Sequence, residues 1–261
     1  MNIEFLTQDD PLYILPFFEE FFRNYASEFN ILQVSCCRPM GKRSRWKLLK
    51  ELVYLYRPLG FARLMTRAAI SRAFGMLPRG RGSWSYHSFA QLCRAYSVPC
   101  KRVDNPNVPE YVEQLKARKA DLLISVACPY ILKEHVLQVT PLGCINIHHA
   151  PLPRYKGMMP TFWQMYHGEK KVGVTVHYMV PKVDEGAALL QSELAIEPGE
   201  SLDRLIRRSK RHGAHCMAKV IRQIAEKSQA SVKLDNEHGS YFTFPTFTEM
   251  KDFHRRGLRA I

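Results

Sequence analysis

The stretch Cys144-Ile145-Asn146-Ile147-His148-His149-Ala150-Pro151-Leu152-Pro153-Arg154-Tyr155-Lys156-Gly157 begins as a strand and ends as a turning loop. Residues two apart on a strand project to the same face, so Asn146 and His148 point together from one rigid element. His149 falls on the opposite face and reads as structural. Pro151, Pro153 and Gly157 stop the strand and force the chain to turn. An amide donor and a titratable imidazole at a strand's end, before a shaped loop, match the place where open α/β sheets put their sites.

Working outward, Asp121-Leu-Leu-Ile-Ser-Val126 is a nearly continuous apolar run, the pattern of a central parallel strand buried on both faces. Cys128 to Leu132 is read as turning into a short helix. Asn2 to Leu6 reads as a first strand. The spacing of Leu12, Leu15, Phe18 and Phe22 predicts a helix over 11–28, with Asp10 as N-cap, Pro11 in its first turn and Pro16 as a kink or a later start. Phe29 to Val34 is a second strand. Strand, helix and strand with short links open a parallel α/β sheet. Further helices are expected over 88–96, 108–118 and 161–167, and further strands over 99–103, 172–180 and 188–196. Ser201 is expected to cap a long helix reaching about Lys227. The fold class is therefore α/β: a Rossmann-like, mostly parallel sheet with helices on both faces and a short C-terminal extension. Residues 1–200 are expected to form the sheet-bearing domain, with a basic helical insertion at 42–87. Residues 201–261 would supply the long helix and a tail rich in aromatic residues. No GxGxxG follows the first strand, so a dinucleotide site of the usual kind is not supported.

The chain has 261 residues and a net charge of +14, with 46% hydrophobic and 24% charged residues, as in an ordinary globular protein. The charge is uneven. Between Lys42 and Arg81 eleven Lys/Arg face a single acid, Glu51, so this segment holds ten of the fourteen net charges. Such a field suits a phosphorylated substrate, a nucleic acid or an anionic membrane, or simply a solvated surface. The segment carries two helical patterns split at Pro58-Leu-Gly60. One has a stripe of Leu48, Leu49, Leu52, Leu55 and Tyr56, the other of Leu64, Met65, Ala68, Ala69 and Phe74. Packing of both stripes on the core is the first expectation, and peripheral membrane contact through 42–77 is the second. Seven cysteines show no CxxC pair, and the N-terminus lacks a signal-peptide pattern, so reduced thiols and a cytoplasmic location are expected. No HxxxH or histidine–carboxylate cluster has convincing metal spacing, and no GxSxG is present; no metal is expected.

Asp184 lies in Val180-Pro-Lys-Val-Asp-Glu-Gly186, a polar loop between two strands. Alone it is a turn carboxylate, and His177, within a strand, is by default a core residue. Together the pattern is more specific. Asn146-x-His148-x-Ala-x-Leu152-Pro153, then Lys156-Gly157, Gly173-Val-Thr-Val-His177 and Val183-Asp184-x-Gly186, resembles the formyltransferases that use 10-formyltetrahydrofolate. That superfamily includes the methionyl-tRNA, glycinamide ribonucleotide and sugar N-formyltransferases. Asp184 follows His148 by thirty-six residues, in keeping with the family. The likeness covers residues 100–200 well and the first strand and helix loosely. Ala150 and Pro151 stand where the family has Ser and Leu, which changes the loop but removes no catalytic group.

The resemblance implies roles. Asn146 would donate a hydrogen bond to a developing oxyanion, His148 would shuttle a proton from the amine to the leaving nitrogen, and Asp184 would orient His148 and stabilise its charged form. The pteridine of the 10-formyltetrahydrofolate co-substrate would lie between Pro129, Tyr130, Ile131 and Leu132 on one side and Val183 and Gly186 on the other. Lys156 and Gly157 would meet the substrate. Among acceptors, a small anionic amine, such as a nucleotide-linked amino sugar, is preferred. Charged tRNA is the alternative, weakened because 228–261 is short for the C-terminal barrel of those enzymes. A hydrolase releasing formate and a non-catalytic binding module using the basic segment remain the other readings. The aromatic tail 239–257 reads first as a strap on the core, and otherwise as a surface stacking a base or sugar ring.

Overall fold

The strands read at Asn2–Leu6, Asp121–Val126 and Cys144–His148 become neighbours at the centre of one sheet. β1 (Asn2–Gln8), β4 (Leu122–Val126) and β5 (Cys144–His148) lie side by side and parallel, with Phe5 opposite Ile124 and Ser125 opposite Asn146. The computed structural model describes residues 1–38 and 45–261, and Lys42 and Arg43 of the basic segment lie outside them. β2 (Asn30–Cys37) and β3 (Cys100–Val103) extend the sheet in parallel beyond β1. β7 (Lys171–Tyr178) and β8 (Ala188–Ala195) extend it antiparallel beyond β5, giving the order β3-β2-β1-β4-β5-β7-β8. A two-residue strand β6 (Lys156–Gly157) pairs separately with β9 (Tyr241–Phe242) from the tail.

Alternation along β1 distributes its side chains to two helical layers. Ile3 and Phe5 face α1 (Leu15–Tyr25), where the Phe5 ring meets Phe18 and Phe21 edge-on at 5.3 and 5.1 Å. α7 (Leu202–Ala225) packs on this same face through Met217, Val220 and Ile221. Leu6 points the other way, towards α4 (Pro109–Ala117) and the short α5 (Glu134–Leu137). Glu4 is on that face too and fully buried, yet its carboxylate is satisfied: Arg118 donates from Nε at 2.7 Å and Nη2 at 3.0 Å, with Ser35 and Tyr111 completing the set. Helices thus cover both faces, as expected. The core runs across residue 200, since α7 shares its apolar face with α1 and the sheet.

Three local expectations are corrected. Asp10 does not cap the first helix; its Oδ1 accepts from Leu12 and Tyr13 N–H in a turn, and the helix starts at Leu15 with Pro16 in its first turn. Pro16 has no N–H to lose there, which is why the later start wins. Cys128 to Leu132 is not helical; the helix begins only at Glu134, after Lys133 N–H is held by Asn107 Oδ1 at 2.8 Å. The two stripes of the insertion are only partly buried. α2 (Arg45–Phe74) is broken at Arg57, whose φ of 57° is left-handed, next to Pro58. Leu55, Tyr56 and Leu64 join a second core with Phe162, Met250 and Phe253, whereas Leu48, Leu49, Met65 and Phe74 are exposed. α2 packs chiefly beside α8 (Phe247–Arg255) of the tail.

The tail has more structure than its sequence suggests. Besides β9 and α8, Val232 forms an isolated bridge to Ala188. Phe242 stacks on Trp163 at 4.7 Å and on Tyr155 at 5.5 Å, so the aromatic residues act as a strap on the core.

Candidate active site

The parallel strands end together on one edge of the sheet, and β5 delivers Asn146 and His148 there. The antiparallel partner β7 sets His177 directly opposite Asn146 and Thr175 directly opposite His148. Directly paired side chains of an antiparallel ladder lie about 5 Å apart, within hydrogen-bonding reach. Asn146 Nδ2 is 3.2 Å from His177 Nε2, while His177 Nδ1 is 2.8 Å from the Tyr178 carbonyl oxygen. A carbonyl only accepts, so Nδ1 carries the proton and Nε2 is left to accept from the Asn146 amide. Burial holds His177 below the usual imidazole range, with Asp184 pulling the other way. A neutral His177 therefore fixes which way the Asn146 amide points.

His148 is held in the same manner. Its Nε2 donates to the Tyr155 carbonyl at 2.8 Å, leaving Nδ1 turned to Asp184 Oδ2 at 3.5 Å. That distance is electrostatic contact rather than a formed hydrogen bond. A proton arriving on Nδ1 would sit against the carboxylate, in surroundings where charges are poorly screened. Asp184 Oδ1 lies 3.7 Å from His177 Nε2, so the carboxylate spans both histidines. Its side chain is 9% exposed, and its backbone is left-handed at φ 55°. A left-handed non-glycine residue is strained, and this one is retained at the point where two histidines converge.

The Asp184 loop is fixed from below by Lys156 and Gly157. Gly157 N–H donates to Asp184 Oδ2 at 3.0 Å, and the Lys156 ammonium pairs with Glu185 at 3.1 Å. Gly157 has φ 92°, and a Cβ there would collide with the Phe242 carbonyl. The close approach anticipated at Gly157 is thus made by the tail strand. The tail also holds the partner of His148: Ser240 Oγ accepts from Tyr155 N–H at 2.8 Å, and the Ser240 carbonyl accepts from Lys156 N–H at 2.8 Å. Thr175 secures the other half of the loop, donating to the Ala150 carbonyl at 2.7 Å and accepting from Leu152 N–H at 3.1 Å. Pro151 lies over Gly173, where any side chain would strike its ring. Ala150 is fully buried. His149 faces away as expected; it bonds Ser209 Oγ at 2.8 Å, and burial holds it neutral, well below the usual imidazole range.

A cavity of about 680 Å³ opens at the end of β1. Its walls come from the end of β1 and the loop after it (Gln8, Asp9, Asp10) and from the insertion and α3 (Phe89–Ala95), which bring Arg72, His87 and Arg94. β1 and β5 are separated by β4 alone, so their ends lie about 10 Å apart at two strand spacings.

The family model described as Formyl transferase matches residues 91–221, half of the chain, including every residue of this cluster. The chain belongs to the formyl transferase family. Among curated members, the methionyl-tRNA formyltransferase of Syntrophus aciditrophicus is 36% identical over 154 residues, which is 59% of this chain and 49% of that protein. The chain spans about half the length of the curated relatives it matches. The fold is also that of the family's solved members. Glycinamide ribonucleotide transformylase 1 from Symbiobacterium toebii superposes with a TM-score of 0.61 at 18% identity, covering 90% of this chain and 94% of that one. An N-formyltransferase from Helicobacter canadensis, solved with folinic acid and dTDP-3-aminofucose, gives 0.57 at 15% identity, covering 99% and 83%.

The residues anticipated for a pteridine fall on two loops, the one after β4 and the one between β7 and β8. Tyr130 and Met179, one from each, pack against the edge of the apolar cluster around Leu6 and Leu123. Ile131 is 67% exposed and Val183 39%, while Pro129 and Tyr130 are half-buried and Leu132 is buried. Gly186 is buried, and a Cβ on it would collide with the Tyr178 carbonyl, so the loop can only turn there with glycine. Two irregular main-chain segments with apolar side chains left open fit a flat, largely apolar ring. Among the described residues no group of three His, Cys, Asp or Glu is arranged to hold a metal ion. His177 is the residue that sequence reasoning left in the core; its signal was the shared parity with Thr175 on a strand that pairs β5.

Proposed function

We propose that this chain transfers a formyl group from 10-formyltetrahydrofolate to a primary amine. The observation carrying the reading is the convergence of Asn146, His148, His177 and Asp184, four side chains from two paired strands and one loop. The folate, held between 129–132 and 180–186, would supply an activated formyl group. The chain's own groups then have separate tasks. Asn146, with its amide set by His177, donates to oxygen charge developing beside it, where one such donor is typically worth about 100–1000-fold in rate. His148 Nδ1 would take the proton that the attacking amine must lose and pass it to the nitrogen that leaves with tetrahydrofolate, with Asp184 steadying the imidazolium in between.

The acceptor we favour is a small anionic amine, with a nucleotide-linked amino sugar as the leading class. Arg72 and Arg94 around the cavity beside β1 support it, as they would offset phosphates, while Asp9 and Asp10 line the same space and suit an ammonium or hydroxyl groups. A charged tRNA is the second reading, supported by the names of the sequence relatives and the cations of the insertion. Calorimetry with a folate analogue, followed by a turnover panel of nucleotide-linked amino sugars, glycinamide ribonucleotide and aminoacylated initiator tRNA, tests both. Folate binding with turnover of a nucleotide sugar is expected. Turnover of tRNA alone would reverse the choice of acceptor, and absent folate binding would end the proposal.

A further inference from the structure

Eleven of the nineteen large apolar side chains exposed among the described residues lie between Trp46 and Trp84, a segment holding less than a sixth of the chain. Protein surfaces rarely concentrate apolar groups in this way unless something covers them. The exposure is high: Trp84 94%, Met76 80%, Trp46 73% and Leu59 67%, with Ile70 at 43%. The insertion bearing them is firmly held. Tyr56 shares a 2.7 Å hydrogen bond with Tyr13, His254 Nε2 bonds the Leu55 carbonyl at 2.8 Å, and Arg67 pairs with Asp203 at 2.7 Å. Gly60 packs on Ile261. Even at Trp84 the carbonyl is gripped by Arg23 at 3.1 Å while the ring stands free in solvent. The exposed apolar groups are therefore carried on an anchored scaffold.

Its charge identifies what fits. Lys50, Arg57 and Arg63 are exposed in the same segment, and its one acid, Glu51, is buried. We propose that the outer face of the 45–84 insertion docks the protein on an anionic lipid surface. Aliphatic groups such as Leu59 and Ile70 enter the acyl boundary, long cationic side chains reach the headgroups, and tryptophans near both ends sit at headgroup level. Nucleic acid would satisfy the cations but leave the aliphatic groups without partners. A second copy meeting the same face would press two cationic surfaces together. No helix among the described residues is long and apolar enough to cross a membrane, so the contact lies in the surface plane.

The test is co-flotation of the full chain with vesicles of phosphatidylcholine alone or mixed with phosphatidylglycerol, across a salt series. The wild type should float with the anionic vesicles, less as salt rises, and weakly with the neutral ones. A variant combining Leu59→Gln, Ile70→Gln and Trp84→Gln should keep its melting temperature and bind at least about tenfold more weakly. Failure of the wild type to float, or equal flotation by the variant, overturns the proposal. So does capture of an RNA hairpin without vesicle binding, or a concentration-dependent dimer that the variant abolishes; these would assign the face to nucleic acid or to a second copy.

Discussion

The cluster at the end of β5 and the outer face of the insertion treat their side chains in opposite ways. In the cluster, polar groups are buried or half-buried and almost every one is fixed by a second element: Asn146 by His177, His148 by the Tyr155 carbonyl, Asp184 by Gly157. On the insertion, apolar groups are exposed, although the scaffold beneath them is as well anchored as the cluster. Burying polar groups is costly unless every partner is supplied, so the arrangement belongs where geometry must not vary. Exposing apolar groups is equally unfavourable in water, so that arrangement belongs where water is to be displaced.

Substitutions should separate the two regions sharply. Asp184→Asn keeps the shape of the loop residue and removes the charge facing His148; formyl transfer should fall by about 1000-fold with the melting temperature within a few degrees. Asn146→Ala should cost about 100–1000-fold in kcat, with folate binding by calorimetry unchanged. His177→Phe frees the Asn146 amide and removes the imidazole beside Asp184 Oδ1, while the His148–Asp184 contact stays; a loss of about tenfold in kcat with KM unmoved is expected, and a change confined to KM would remove its positioning role. A smaller effect should appear in stability. His149 and His177 both sit below the ordinary imidazole value of 6.5 in the folded chain, so the unfolded chain binds protons more readily. Stability is then complete above about pH 6.5 and erodes as pH falls below it, by up to roughly 1.4 kcal/mol per pH unit for each histidine. Urea midpoints at several pH values check this, and His149→Gln should flatten the slope. The smallest effect belongs to the insertion: Leu59→Gln and Trp84→Gln should leave turnover of a soluble acceptor within about twofold. A loss as large as that of Asn146→Ala would erase the distinction between the two regions.

Much of the site was legible because strand parity ties Asn146 to His148 without knowledge of the fold. Asp184 could be attached only through the resemblance, since a carboxylate before Glu185-Gly186 reads locally as a turn. His177 stayed hidden for a different reason. Its partnership with Asn146 depends on the antiparallel pairing of β5 with β7, and register between strands separated by a loop and a helix is not written in either strand alone. The tail escaped similarly. Ser240 and Phe242 hold the 153–158 loop mostly through backbone bonds and ring stacking, which leave no periodic pattern. In the insertion the apolar stripes were visible, but which residues they bury is set by α8 and Ile261, nearly two hundred residues away.

The most direct measurement is formyl transfer by His148→Ala beside the wild type, following tetrahydrofolate release from 10-formyltetrahydrofolate with and without the acceptor amine. Wild-type release that requires the amine, and a loss of about 1000-fold or more in a variant that melts normally, is the predicted result. Turnover by His148→Ala within tenfold of the wild type, or wild-type release of formate at full rate without any amine, would contradict it.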